Sequence, residues 1–286
     1  MLSSLLTMKF FIWNFLKENK KTGITVLLII FIVFFSITLH RETFEDGWKL
    51  THSSKVNNIH GGLSGLTWNP ERKTLFAVTD HPSSIIELSQ DGKVIRVISS
   101  DVDHDFESIE WIGNDRYIIS HEREKKLVTY HIDGKTSRLP LPENVILFNI
   151  NNKKKNSGLE GITTGEHKGQ LFLAQEKKPR RLYNLCINEN SIILSDDLAK
   201  RFVVPWFLRD ISGLHYNKKT QQLYILSHES ALVAISDSFG KTKILSLHKG
   251  SNGLKDTIPQ AEGIVTDDGN NLWIVSEPDL FYHFKT

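Results

Sequence analysis

One cysteine, Cys186, stands in a chain of 286 residues. An internal disulfide is thereby excluded, and so are metal and redox motifs of the C-x-x-C kind. Cys186 reads as an inert buried thiol in a strand, and with no second thiol to mispair it suits an oxidising compartment. No G-x-S-x-G elbow, Walker loop or H-E-x-x-H occurs, which leaves covalent serine chemistry, P-loop phosphate binding and helix-borne zinc hydrolysis without support. An excess of one charge is missing too: 35 Lys and Arg face 33 Asp and Glu, a net of +2. So balanced a charge gives no electrostatic footprint for nucleic acid, which is not an expected partner. The 24% of charged and 40% of hydrophobic residues are ordinary for a globular chain and exclude disordered and fibrous classes.

Only one long apolar run is present, TGITVLLIIFIVFFSITL at residues 22–39. About 20 uncharged residues in a helix cross a bilayer core of about 30 Å. No small-x-small cleavage site and no lipid-accepting cysteine follow it, so it reads as an uncleaved transmembrane helix. Lys9, Lys17, Lys20 and Lys21 precede the span, while Arg41, Glu42, Glu45 and Asp46 follow it. The positive-inside bias then keeps residues 1–21 as a short cytoplasmic segment. Residues 40–47 are a linker, and 48–286 form a domain outside the cytoplasm. In a cell with two membranes this is a single-pass inner-membrane protein with a periplasmic domain, its membrane contact made through the N-terminal helix.

Beyond Asp46 the chain repeats itself five times. A first element reads LSGLTW at 63–68, FESIEW at 106–111, LEGITT at 159–164, ISGLHY at 211–216 and AEGIVT at 261–266. A second, apolar element ends in an acid: Asp80, Glu122, Glu176, Glu229 or Glu277. Third strands follow, often with a turn such as Asp91-Gly92 or Asp133-Gly134. From the Ser or Glu of the first element to the acid of the second the distances are 16, 15, 16, 17 and 15 residues. That span is one antiparallel hairpin, so the start of the first strand lies beside the end of the second. A repeat period of 43–53 residues matches a four-stranded propeller blade. The expected fold is all-β, a five-bladed β-propeller of four-stranded blades preceded by one transmembrane helix. The fifth repeat lacks an outer strand, and WKLTHSSKVNN at 48–58 is the segment expected to supply it and close the ring.

The first strand of each blade lines the central channel, so ten motif positions converge on one mouth. Eight are acidic: Glu107, Glu160 and Glu262 from the first element, with Asp80, Glu122, Glu176, Glu229 and Glu277 from the second. Ser64 and Ser212 occupy the other two. Each Glu-Gly or Glu-Ser pair is open to a structural reading, the acid accepting backbone hydrogen bonds and the glycine permitting close packing. As a set, the carboxylates repel one another unless a cation compensates, and an all-oxygen donor set selects Ca²⁺ over Zn²⁺. His81, His121 and His228 each neighbour a second-element acid and read as packing or hydrogen-bonding residues. The tracts KKK at 153–155 and KKPRR at 177–181 read as solvated loop charges in preference to an anion site, and the connections 196–210 and 249–260 as walls above the mouth.

The segments LSGLTWNPERKTLFAVTD, GLEGIT, DISGLHYN, LYILSHES and QAEGIVTDDGNNLWIVSEP resemble the bacterial SdiA-regulated family, in particular its YjiK-like membrane-anchored members. The resemblance implies a five-bladed propeller with bound calcium, distantly similar to NHL-repeat propellers and to calcium-dependent paraoxonase and gluconolactonase enzymes. In those enzymes a Glu-Gly pair opening an inner strand supplies a calcium ligand. Glu160-Gly161 and Glu262-Gly263 match it, and Glu107-Ser108 matches with Ser for Gly; Ser64 and Ser212 depart from it.

Two functions of different classes follow. One is a calcium-dependent hydrolase acting on lactones, esters or phosphoesters, which needs a cation with an open coordination position. The other is a non-catalytic, calcium-stabilised binding or scaffold module of the cell envelope, which needs only a closed site and a free face. The partner is accordingly a small molecule or an envelope protein.

Overall fold

The computed structural model describes residues 47–147, 158–177, 179–188, 191–195 and 198–286. The apolar run at 22–39 lies outside the described residues, and among these no helix is long and apolar enough to cross a membrane.

Among the described residues, twenty strands form five four-stranded antiparallel sheets. Strand β1 (Lys49–Lys55) comes first in the chain. Blade I holds β2 (Leu63–Asn69), β3 (Thr74–Thr79), β4 (Ser84–Leu88) and β5 (Val94–Ser99). Blade II holds β6 (Phe106–Gly113), β7 (Arg116–His121), β8 (Lys126–His131) and β9 (Asn144–Leu147). Blade III holds β10 (Leu159–Thr164), β11 (Gln170–Gln175), β12 (Arg181–Asn188) and β13 (Ser191–Ser195). Blade IV holds β14 (Gly213–Asn217), β15 (Gln222–Ser227), β16 (Leu232–Asp237) and β17 (Thr242–Ser246). Blade V holds β18 (Ala261–Thr266), β19 (Asn271–Ser276) and β20 (Leu280–Lys285). A helix of four residues, Leu198–Arg201, lies between blades III and IV.

The outer strand of blade V is β1, paired antiparallel with β20 from Lys49↔Lys285 to Lys55↔Leu280. The ring is therefore closed by both ends of the propeller sequence, as the short fifth repeat requires. Buried Trp48 and Val56 pin the two ends of this strand to neighbouring core clusters.

The core sits in five wedges between successive blades. Trp273 and Phe281 of blade V, for example, pack with Leu63, Leu75 and Ile86 of blade I, and Phe76 and Ile85 of blade I pack with Tyr117 and Ile119 of blade II. A middle strand such as β3 is covered by a neighbouring blade on each face and is buried at five successive positions. That explains why LFAV and its counterparts are continuous apolar runs without polar alternation. Each fully buried Leu, Ile or Phe contributes about 1.5–3 kcal/mol relative to exposure. Within blades the turns are local. Asn69 Oδ1 accepts from the backbone N–H of Glu71 and Arg72, and Asn217 Oδ1 does the same for Lys219 and Thr220, reversing the chain between first and second strands.

Candidate functional site

In three blades the second residue of the inner strand is a glutamate, and each sits at a break in the ladder. The register shifts between Phe106 and Ser108, between Leu159 and Gly161, and between Ala261 and Gly263. A bulge leaves one residue unpaired and re-aims its side chain. Glu107, Glu160 and Glu262 are those residues. The residue after each bulge is small because the inner strands of adjacent blades almost touch there: a Cβ on Gly161 would lie 2.6 Å from Leu214 Cβ, and one on Gly263 2.8 Å from the Leu66 nitrogen. Both readings of the Glu-Gly pair therefore hold, the glycine serving packing and the glutamate freed from it. At the equivalent point of blade IV, Ser212 Oγ donates to the Ala261 carbonyl at 2.6 Å and ties two inner strands together.

The second-element acids come to the same end. The Glu122 N–H donates to the Asp105 carbonyl at 3.1 Å, Glu277 N–H to Gln260 at 3.1 Å, and Glu176 N–H to Gly158 at 3.4 Å. Carboxylate oxygens of Asp105, Glu107 and Glu122 lie within 4.8 Å of one another. Burial first, then the charges of Glu122, Asp105, Asp80 and Glu262, push the Glu107 carboxyl up to about 9. Glu160 is raised well above the usual range by burial and by Glu107, Glu122, Glu176 and Glu262. Burial also leads the upward shifts of Glu122, Glu262 and Glu277. Seven of the eight expected acids thus act on one another. Asp80 is at the rim, where its Oδ1 accepts from the His81 N–H at 2.6 Å.

Glu229 turns away. Lys177 Nζ lies 2.7 Å from Glu229 Oε1 and 2.8 Å from Glu176 Oε1, bridging blades III and IV, and the hydrogen bond to Lys177 holds the Glu229 carboxyl below its usual range. Lys177 is accordingly a bridge at the site, where the sequence suggested a solvated loop charge. The spacing of 17 residues in this repeat explains the exchange: the extra residue places His228 where the other blades carry an acid. His228 Nδ1 is 3.0 Å from Asp210 Oδ2 and 3.3 Å from Glu262 Oε1. The Glu262 hydrogen bond leads the upward shift of its pKa. His81 faces Asp103 and Asp105, and His121 is packed inside blade II against Glu124 and Tyr130.

Sequence reasoning missed Asp105 and Asp210. Asp210 is fully buried and accepts from Ser227 Oγ and from the Glu229 N–H. Asp105 is bound by Arg123 Nε at 3.0 Å. Their signal was positional, since each stands two residues before the bulge position, as D-F-E-S and D-I-S-G. At the other end of the channel the logic reverses. Glu110 is also buried, yet it accepts from Thr67 Oγ1 at 2.9 Å, Thr164 N–H at 2.7 Å and Thr164 Oγ1 at 3.0 Å. Burial raises the Glu110 carboxyl as well, and these hydrogen bonds from Thr164 and Thr67 oppose the rise.

These features define a five-bladed propeller with an acidic axial mouth. The model of the SdiA-regulated family matches residues 42–285, and the chain belongs to that family. Among solved structures it is similar to a catalytically inactive virginiamycin B lyase from Staphylococcus aureus with quinupristin, at 11% identity over 84% of this chain and 99% of that one, with a TM-score of 0.50. It is also similar to a gluconolactonase from Xanthomonas campestris, at 12% identity over 84% and 95% of the two chains, with a TM-score of 0.49. At such identity the likeness is one of fold.

Proposed function

We propose that the mouth binds Ca²⁺ and that the protein is a calcium-dependent hydrolase of lactones, esters or phosphoesters, held outside the cytoplasm by the segment at 22–39. The observation that supports this is the crowding of the bulge glutamates Glu107 and Glu160 among other carboxylates. Burial and mutual repulsion push Glu107 and Glu160 upward, whereas Arg123 meets Asp105 and His228 meets Glu262. Glu110, at the opposite end, instead accepts hydrogen bonds from Thr67 and Thr164. The mouth donors are hard carboxylate oxygens, a set that fits Ca²⁺ and not Zn²⁺. Glu107, Glu160 and Glu262 would hold the cation, with Glu122, Glu176, Glu277, Asp80 and the newly found Asp105 around them. A cation bound there would polarise a carbonyl or phosphoryl oxygen. Asp210 and Glu262 flank the His228 imidazole beside the cluster, which makes it the group suited to hold or deliver a proton.

Calorimetric titration of the full chain with calcium tests the reading, wild type beside Glu160→Gln and Glu262→Gln. Selective binding to the folded state stabilises it by about 2.7 kcal/mol at a hundred-fold excess over Kd. The two variants should lose most of the calcium heat, while Glu71→Gln should not. No calcium heat in wild type, or equal heats in all variants, refutes the metal. Calcium binding without turnover of lactones, aryl esters or phosphoesters would favour the scaffold reading. A reporter fused after Thr286 tests the location, because it should be active only when exported.

A further inference from the structure

Lys177 and Glu229 belong both to the rim of the acidic mouth and to a cavity on its flank. That cavity, of about 510 Å³, lies between blades III and IV and is lined by Lys177, Pro179, Arg180, Leu208, Arg209 and Glu229. Three of the six are cations, in contrast to the carboxylates beside it. Arg180 Nη1 is buried and has no hydrogen-bond partner among the described residues, while Nη2 of the same side chain donates to the Trp206 carbonyl at 3.4 Å. A buried guanidinium N–H without an acceptor is costly, and Arg180 lines the cavity, so a turn of its side chain would bring Nη1 to an acceptor there. Arg209 is exposed, its side chain has no ion pair among the described residues, and its backbone N–H is held by Ser230 Oγ at 3.0 Å. It immediately precedes Asp210, the carboxylate beside His228. Buried Leu208 supplies an apolar wall.

We propose that this cavity is an anion subsite that takes the phosphate group of a small organic phosphate and presents the rest of the molecule to the carboxylate mouth. The mouth itself repels an anion, so a negatively charged substrate needs a separate cationic anchor. Two arginines suit a dianionic phosphate better than a carboxylate, because guanidinium forks match phosphate oxygens in pairs, while Lys177 stays paired with Glu176 and Glu229. The assignment deepens the hydrolase reading and rests on it for the chemistry, whereas binding at the subsite does not depend on calcium.

The test is calorimetric titration of the full chain with phenyl phosphate, benzoate and benzyl alcohol, each in chelated calcium-free buffer and again with calcium. Phenyl phosphate should bind in both buffers and more tightly than benzoate, and benzyl alcohol should not bind. Arg180→Gln and Arg209→Gln should each weaken phenyl phosphate about ten-fold or more. The remote exposed change Arg138→Gln should leave binding unchanged in both buffers. Because Arg209 is exposed, its variant remains informative if Arg180→Gln fails to fold. Absence of binding overturns the proposal, as does weakening by Arg138→Gln equal to that by Arg209→Gln. Binding that requires calcium and disappears in Glu160→Gln would put the phosphate on the metal and would also overturn it. A chain that binds phenyl phosphate but no calcium would keep the subsite and remove the metal reading.

Discussion

Asp210 Oδ2 lies 3.0 Å from His228 Nδ1, and this carboxylate is wholly buried while the imidazole remains partly exposed beside Glu262. The acid is anchored from behind by Ser227 Oγ. Two carboxylates beside one imidazole favour its charged form. Asp210→Asn should therefore lower the His228 pKa, and saturating calcium should lower it in wild type by placing positive charge nearby. Titration of the His228 ring protons by NMR reads both effects. A pKa that ignores both the substitution and the metal would show that His228 is electrostatically separate from the mouth.

The carboxyls at the mouth give the metal-free protein a distinctive pH dependence. Glu107 is raised from 4.5 to about 9, and Glu160, Glu122, Glu262 and Glu277 are raised as well. For a group raised on folding, the stability it contributes is complete below its unfolded value and is lost as pH rises through its folded value. His228 acts in the same sense. His121, lowered to about 4, and His215, lowered to about 3, act in the opposite sense, their loss falling below their ordinary 6.5. Between about pH 7 and 9 the mouth therefore governs, and the melting temperature in chelator should fall by several degrees. Calcium should remove most of that fall, since it replaces the protons, and Glu107→Gln should flatten the profile without metal.

Gly263 is a packing constraint separate from any ligand. A Cβ there would meet Val275 Cγ2 at 2.6 Å and the Leu66 nitrogen at 2.8 Å, where blade V contacts blade I. Backbone cannot move aside cheaply, so Gly263→Ala should destabilise by about 1–3 kcal/mol or more. Thermal melting of wild type and variant in chelator separates this cost from calcium binding. An unchanged melting temperature would mean the two inner strands can part without penalty.

Closure by β1 makes the stability of the ring indivisible. Deleting residues 47–58 exposes the β20 edge and removes buried Trp48, so the whole propeller, and not blade V alone, should be destabilised in one cooperative transition. Trp48→Ala keeps the strand and should cost about 3–5 kcal/mol. Denaturant unfolding followed by circular dichroism distinguishes one weakened transition from several; no change in either variant would contradict closure at this seam.

Blade number, hairpin register and the ring of acids were legible because each is set by local spacing. An interval of 15–17 residues between two motifs can only be a short hairpin, and five intervals make five blades. The missing outer strand of the fifth repeat likewise pointed to residues 48–58. The membrane reading of residues 22–39 comes from the sequence alone, since that segment lies outside the described residues. What only tertiary structure decided is how charges meet across blades. Lys177 reaches Glu229 over 52 residues of sequence, and Asp210 meets a histidine that displaces the acid of its own repeat. Hydrogen bonds and ion pairs of this kind depend on distances between separate sheets, whereas sequence spacing specifies distances only within one. The roles of Glu107, Glu160 and Glu262 follow the same division: the sequence supplied the Glu-Gly and Glu-Ser pairs, and the fold, by bulging each inner strand where the blades press together, turned those glutamates toward one another.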